Sequence, residues 1–293
     1  MQNIGWIGTG IMGKSMCRHL IDAGYSASVY TRTKDKAEEL IAAGARWCES
    51  PKGVAERSDC IFTIVGYPKD VREVILGDDG VLAGSRPGSI IVDMTTSEPA
   101  LAEEIAAAAA QKGVAALDAP VSGGDLGARN GTLAIMCGGD SETYEKVLPL
   151  LQCMGERISL LGGAGRGQHT KMCNQILVAS GIVGMVEALL YAQKAGLDAE
   201  QVIEIVGSGA AASWAINNLG PRIARGDYDP GFMIRHFLKD MGIALEEAKR
   251  LKLSLPGLAL TQELYTAAAA QGLEDLGTHG LYKILAELNG MRA

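Results

Sequence analysis

Asn3-Ile-Gly-Trp-Ile7, running into Gly8-Thr9-Gly10-Ile11-Met12-Gly13, is the stretch that decides the fold. Its first five residues read as a short apolar strand. A helix is expected from about Ile11 to Ala23, closed by Gly24 at the position where glycine ends helices. Ala27-Ser-Val-Tyr30 reads as the next strand. Strand, glycine turn, helix and strand together are the setting that a dinucleotide fingerprint requires. Gly8 permits the tight turn, Gly10 lets the backbone approach a pyrophosphate, and Gly13 lets the helix pack closely on the strand. The pyrophosphate would rest on Thr9, Ile11 and Met12 at the helix N-terminus, where free N–H groups and the helix dipole favour negative charge.

The end of the second strand bears on cofactor choice. Enzymes that use NAD commonly place an acid there to hold the ribose 2′-hydroxyl. This chain has Thr31-Arg32-Thr33 instead. Arg32 offers a planar fork to a 2′-phosphate and Thr33 a hydroxyl, which favours NADP while leaving NAD open. The plainer alternative is a solvated arginine, with Thr33 capping a helix over 34–43.

The alternation of strand and helix continues. Cys60–Val65 reads as a buried strand followed by Gly66-Tyr67-Pro68, and Ser89–Asp93 as another followed by Met94-Thr-Thr96. Ligands in open α/β sheets bind at the carboxyl ends of parallel strands. Val65, Gly66, Tyr67 and Thr96 are therefore candidates to line the cofactor. After the strand 115–119 comes Pro120-Val-Ser122-Gly123-Gly124, whose N–H groups and hydroxyl could hold a carboxylate. Leu133–Cys137, a helix from Ser141 and the strand 158–161 are expected to complete the same sheet. Gly162-Gly163-Ala-Gly165 breaks the pattern, which places a dinucleotide-binding domain at 1–163 and a second domain at 164–293.

The second domain opens with Gly165-Arg-Gly-Gln-His-Thr-Lys171-Met-Cys-Asn174 and an apolar run free of proline to Ala195. Ile176, Leu177, Val178, Ile182, Val183, Met185, Val186, Leu189 and Leu190 cover more than one side of a helix, which predicts a helix buried nearly all round. Lys171 and Asn174, three apart in its most polar turns, share a face. Beyond Gly196 the pattern is helical only, at roughly 199–208, 213–224, 233–251, 257–271 and 278–289. The fold class is thus α/β, with a doubly wound N-terminal domain, a long interdomain helix and an all-α C-terminal domain.

Composition narrows the function classes. A length of 293 residues suits two domains. The net charge of −7, without a basic block, argues against a nucleic-acid partner. The six scattered cysteines read as reduced thiols of a cytoplasmic protein, and the four histidines fall in no metal-ligand spacing. The N-terminus enters a strand pattern at once, leaving no signal peptide, and Gly181, Gly184 and Glu187 interrupt the most apolar run, so no membrane partner is expected.

The chain resembles the β-hydroxyacid dehydrogenases, represented by 3-hydroxyisobutyrate dehydrogenase, tartronate semialdehyde reductase and the glyoxylate/succinic semialdehyde reductases. The resemblance spans nearly the whole chain. It rests on Gly8–Gly13, on Asp118-Ala-Pro-Val-Ser-Gly-Gly124 with Gly131-Thr-Leu133, on Gly165–Asn174, and on Pro230-Gly-Phe232 leading to Lys239-Asp240. It implies a Rossmann-type domain, a long interdomain helix and a helical domain that helps form a homodimer or homotetramer. It also implies oxidation of a small 3- or 4-hydroxy acid, or reduction of the matching semialdehyde. Carried over by motif, Lys171 would be the catalytic acid/base and Asn174 would orient the substrate. Ser122, Gly123 and Gly124 would take the substrate carboxylate, Thr96 and Lys239 would border the cofactor, and Phe232 and Asp240 would close the pocket. Thr31-Arg32-Thr33 is similar to the segment of the NADP-dependent reductases. The chain departs from many members at Val65–Pro68, where they carry Leu-Pro, and at Gln175, where they carry a second Asn.

The chemistry fits these residue types. Charge developing on a carbonyl oxygen during hydride transfer is stabilised by a nearby ammonium, which then supplies the proton. A lysine reversible at neutral pH needs its pKa lowered from about 10.4, which burial beside an oxidised nicotinamide would do. Imine reductases share the fold but typically lack a lysine at this position, and 6-phosphogluconate dehydrogenases have a much larger helical domain. A non-catalytic NADP-binding module would have no reason to keep Lys171, Asn174 and Ser122 together. Leu126, Trp214, Asn218, Phe232 and Arg235 are the candidates for choosing among substrates that differ by a methylene, methyl or hydroxyl.

Overall fold

Each buried strand of the first domain alternates apolar side chains between two faces. In the computed structural model, which describes residues 1–291, both faces are covered. The chain forms two compact units, Met1–Lys171 and a second from Met172 onward. The first holds a six-stranded sheet of β1 (Asn3–Ile7), β2 (Ser26–Tyr30), β3 (Arg46–Trp47), β4 (Cys60–Thr63), β5 (Ile90–Asp93) and β6 (Ala115–Asp118). Every neighbouring pair is parallel and the order is β3-β2-β1-β4-β5-β6, that of a doubly wound dinucleotide fold. Ile4, Trp6, Phe62, Val92 and Leu117 fill one face, with Trp6 and Phe62 stacked 5.4 Å apart, whereas Ile7, Ile61 and Ile91 fill the other. A strand covered on both faces carries apolar residues on both, as the Ile61-Phe62 and Ile91-Val92 pairs do.

The expected continuation of that sheet is corrected. β7 (Val121–Ser122), β8 (Leu133–Cys137) and β9 (Gly155–Leu160) form a separate three-stranded sheet, with β7 antiparallel to β8. Pro120 supplies the physical reason. It has no N–H to extend the parallel ladder beyond β6, and its carbonyl instead accepts from Met136 N at 3.0 Å.

The second unit contains the rest of the long helix Arg166–Lys194 and the helices Ala199–Ser208, Trp214–Asn218, Gly220–Ala224, Ile234–Arg250, Pro256–Ala270 and Leu281–Leu288. Asp198 caps the first of these by accepting from Gln201 N at 2.9 Å. The segment expected as one helix over 213–224 is two short ones, the second starting with Gly220-Pro221. Phe237 meets Tyr265 edge to face at 5.2 Å in the middle of the unit's core.

The long helix is not buried all round. Met172, Ala179, Ile182, Met185, Val186 and Leu189 belong to the helical core, but Leu177 and Tyr191 are each 75% exposed and Gly184 lies on the same open face. The pattern read as one wide apolar surface is two: a core stripe, and an exposed stripe with small residues between large ones. Among the described residues this is the one helix long and apolar enough to cross a membrane. Its core stripe is spent on packing within the unit.

Candidate functional site

The glycine turn has the shape its sequence implies. Gly8 sits in the left-handed region at φ +95°, and a Cβ there would overlap the Ile64 carbonyl. A Cβ on Gly13 would overlap the Gly8 carbonyl. On Gly10 it would meet nothing within 4 Å. Two glycines are therefore required by the protein's own packing, and the third leaves open space. The helix Ile11–Asp22 starts behind Gly10 with no side-chain cap and no acid in its first turn. Thr9 is buried, and its hydroxyl has no hydrogen-bond partner. An uncapped, acid-free helix start with room above it fits a pyrophosphate.

The rim of the sheet carries the other cofactor candidates. Thr31, Arg32 and Thr33 follow β2, Val65, Gly66 and Tyr67 follow β4, and Thr96 follows β5. Thr33 stands at the start of the 3-10 turn Lys34–Ala37, but its side chain makes no capping hydrogen bond. The Arg32 side chain is 79% exposed, with its guanidinium 3.3 Å from Asp70 Oδ1. Asp70 is itself buried and accepts from Tyr67 N at 3.1 Å, which links Arg32 to the loop after β4. Thr31-Arg32-Thr33, directly after β2, hold no acid, yet Asp70 reaches Arg32 in space.

Asp93 and Asp118 end adjacent strands and face each other in register. Asp93 Oδ1 accepts from the Thr63 hydroxyl at 2.7 Å and from Thr95 N at 3.1 Å. Asp118 Oδ1 accepts from Gly165 N at 2.7 Å, and its Oδ2 from Gln168 N at 2.8 Å. Asp118 therefore caps the long helix from a strand end. The fully buried Gln168 completes the anchor: its Nε2 donates to Thr95 O at 2.7 Å, and its Oε1 accepts from Ser97 N at 2.9 Å. One turn further along, Lys171 is buried and donates from Nζ to Val121 O at 2.8 Å. Val121 directly precedes Ser122, and Gly123 and Gly124 follow at φ +132° and +63°. The lysine and the carboxylate-binding candidates thus meet in one unit.

Burial pushes the Asp93 carboxyl up to about 6, against the hydrogen bonds from Thr95 and Thr63, with the Asp118 charge adding to the rise. Burial likewise raises Asp118 to about 6, against the N–H groups of Gly165 and Gln168. Each carboxyl binds its proton more tightly folded than unfolded. The stabilisation this gives is fully present below about pH 4 and is lost as pH rises through about 6. Asp93→Asn keeps an acceptor for Thr63 and Thr95 but does not titrate. Its unfolding free energy relative to wild type should therefore improve by about 2 kcal/mol between pH 4 and pH 7. Urea unfolding of both proteins across that range checks this, and a constant difference would show that the carboxyl does not titrate there.

In the helical unit, Asn174 Nδ2 donates to Gln175 Oε1 at 2.7 Å, and Gln175 Nε2 donates to Asp240 Oδ2 at 2.6 Å. Lys239 Nζ lies 2.8 Å from Asp240 Oδ1. Three of the residues singled out in sequence are thus joined through a fourth that was noted only as a departure. Phe232 belongs to a different group, stacked on His236 at 6.5 Å and edge-on to Phe237 at 5.8 Å. Burial lowers His236, and the Lys239 charge adds to this. Asp118, Gln168, Gln175 and Asp70 have structural roles that sequence reading did not assign. The only signal for them is proximity: Asp118 opens a quoted motif, and Gln168 and Gln175 flank Lys171 and Asn174.

A parallel sheet in dinucleotide order, a glycine turn open above Gly10 and a buried lysine at the start of the Ser122-Gly123-Gly124 turn define a nicotinamide-dependent oxidoreductase. Residues 3–163 match the family model described as the NAD binding domain of 6-phosphogluconate dehydrogenase, and residues 165–285 the one described as NAD-binding of NADP-dependent 3-hydroxyisobutyrate dehydrogenase. The chain belongs to the β-hydroxyacid dehydrogenase family, that of 3-hydroxyisobutyrate dehydrogenase. It is 54% identical to a probable 3-hydroxyisobutyrate dehydrogenase-like 1, mitochondrial, of Arabidopsis thaliana, over 98% of this chain and 86% of that one. It is 42% identical to the 2-hydroxy-3-oxopropionate reductase of Escherichia coli, over 96% of each. The crystal structure of 3-hydroxyisobutyrate dehydrogenase from Salmonella typhimurium superposes with a TM-score of 0.89 at 29% identity, over 97% of this chain and 100% of that one.

Proposed function

We propose that this enzyme uses NADPH to reduce the aldehyde of a small carboxylate-bearing semialdehyde, and in reverse oxidises the primary 3- or 4-hydroxy acid. The observation that carries the reading is the buried Lys171 ammonium, held at the Val121 carbonyl beside Ser122 and Gly123 on a helix anchored by Asp118. When bound, the nicotinamide supplies the hydride to the carbonyl carbon, or takes it back. Lys171 stabilises the charge developing on the oxygen and delivers the proton to it. The Ser122 hydroxyl and the backbone N–H groups of Gly123 and Gly124 hold the substrate carboxylate. Asn174 orients the substrate, Phe232 and Asp240 complete its surroundings, and Thr96 and Lys239 border the cofactor. Oxidation of NADPH and NADH against glyoxylate, tartronate, succinic and methylmalonate semialdehydes and a cyclic imine tests the reading. Fast turnover of one acid semialdehyde with NADPH supports it, and activity with the imine alone would overturn it.

NADP rather than NAD rests on Arg32, which is exposed and already turned toward the β4 loop, and on Thr33, whose hydroxyl makes no capping hydrogen bond. Arg32→Glu should raise the KM for NADPH by roughly a hundredfold and change that for NADH by less than about threefold. Equal effects on both cofactors would remove the 2′-phosphate assignment. The same reading places the enzyme in the cytoplasm, supported by six free cysteines of which four are buried. It also makes the enzyme a homodimer or homotetramer, supported by the exposed stripe of Leu177, Gly184 and Tyr191.

A further inference from the structure

We propose that His19 is a positioning residue that holds the Ser122-Gly123-Gly124 turn in register with the helix Ile11–Asp22, whose first turn fits the pyrophosphate. His19 stands in the last turn of that helix and is half-buried. No step of the proposed reaction uses it. Its Nε2 lies 2.9 Å from the carbonyl of Ala128, 109 residues further along the same unit. A carbonyl only accepts, so the ring nitrogen that meets it carries the hydrogen. Ala128 belongs to the helix Gly124–Asn130, which begins where the turn ends. In a longer helix Thr132 N would have reached the Ala128 carbonyl. Gly131, left-handed at φ +68°, ends the helix first, and Thr132 N turns back to the Gly127 carbonyl at 3.0 Å. The imidazole lies against Gly131, 3.6 Å from where a side chain would begin, and takes up the carbonyl that the helix end leaves over.

The other contacts of this short helix are apolar. Gly123 and Gly127 both face the buried Leu133, whose side chain would come within 3.2 Å and 3.1 Å of a Cβ at either position. Ala128 shares a core with Met16, Cys17 and Leu20 of the helix Ile11–Asp22. Contacts of this kind press the short helix down but have no direction, so they do not fix it along its axis. The hydrogen bond from His19 does. The position set at Ala128 reaches the turn through its neighbour, because Gly127 N donates to the Gly123 carbonyl at 3.0 Å. Ala128 is fully buried, so without His19 its carbonyl is an unsatisfied acceptor that gains by shifting. The turn then presents its N–H groups to a carboxylate from several positions instead of one. This inference rests on the proposed function in taking Ser122, Gly123 and Gly124 as the groups that hold the substrate carboxylate.

Two variants separate positioning from simple packing. His19→Leu fills the space without a donor. His19→Gln places an amide N–H near the position of Nε2 and keeps the bond. His19→Leu should raise the KM for the acid semialdehyde roughly tenfold, with kcat within about threefold and the KM for NADPH within about twofold of wild type. His19→Gln should bring the semialdehyde KM back to within about threefold of wild type. If His19→Leu does not fold, His19→Ala, which only removes the ring, takes its place with the same expected result. An unchanged semialdehyde KM, an equal rise in both KM values, or His19→Gln behaving as His19→Leu overturns the proposal. If wild-type enzyme turns over none of the semialdehydes, the proposed function has failed separately. The tether is then read by hydrogen exchange at the amides of Gly127, Gly131 and Thr132. They should exchange roughly tenfold faster in His19→Leu and at the wild-type rate in His19→Gln, while residues 12–18 stay as they are. Equal exchange in all three proteins would overturn it.

Discussion

Lys171→Met should lower turnover by roughly a thousandfold or more while leaving the NADPH dissociation constant within about threefold of wild type. Methionine nearly matches the length and apolar stem of lysine but carries neither charge nor proton. General acid catalysis and stabilisation of an oxyanion are each worth about two orders of magnitude or more, and on the proposed mechanism one ammonium performs both. The loss should fall on kcat, because the interaction strengthens as charge develops. The Val121 carbonyl would also lose its 2.8 Å partner in a buried setting, at a cost of about 1–3 kcal/mol in stability. Single-turnover kinetics beside fluorescence titration of NADPH separates the two effects. Parallel loss of binding and rate would mean that Lys171 shapes the nucleotide site rather than serving the reaction.

Gly10→Ala and Gly13→Ala should fail in opposite ways, although they are three residues apart in one motif. The Gly10 position has no neighbour within 4 Å of an added Cβ, and its φ of −69° suits any residue. Its variant should melt within a few degrees of wild type, yet bind NADPH roughly thirtyfold more weakly or worse, because the methyl group occupies the approach of the pyrophosphate. The Gly13 position meets the backbone carbonyl of Gly8, which cannot yield without moving the turn. Its variant should lose about 3 kcal/mol or more of stability, or about 10 °C in melting temperature. Differential scanning fluorimetry with and without NADPH reads both. A Gly10→Ala protein that still shows the full NADPH-induced shift would mean that the ligand does not pass over this turn.

The first unit was largely legible because its signals are local. Asn3–Ile7, Gly8–Gly13 and Gly24 lie next to one another, and a buried parallel strand shows itself by being apolar on both faces. The break into a second sheet was not legible, since Pro120 could have ended a strand or redirected one, and its partner Met136 lies 16 residues away. The site divides in the same manner. Lys171, Ser122 and Asn174 stand in recognisable motifs. The groups that hold them do not: Asp118 caps a helix 47 residues downstream through Gly165, and Gln175, the partner of Asn174, donates to Asp240, 65 residues away. Side-chain contacts of that span leave no periodicity to read. The long helix misled because apolar character on two faces looks alike whether the second face meets a core or solvent.

The anchoring of the long helix by Asp118 assigns its first turns a different allegiance from the rest. Lys171 is the last residue of the dinucleotide unit, and Met172, its neighbour in the chain, is the first of the helical one. On the proposed roles, the proton donor and the hydride carrier share a single frame built by β1, β5 and β6, and the candidates for substrate preference at Trp214, Asn218, Phe232 and Arg235 all lie in the helical unit. Such a division lets substrate preference drift without disturbing the chemistry. Changes at Trp214, Asn218, Phe232 or Arg235 are expected to alter what is accepted, while the strand-end frame that holds Lys171 stays as it is.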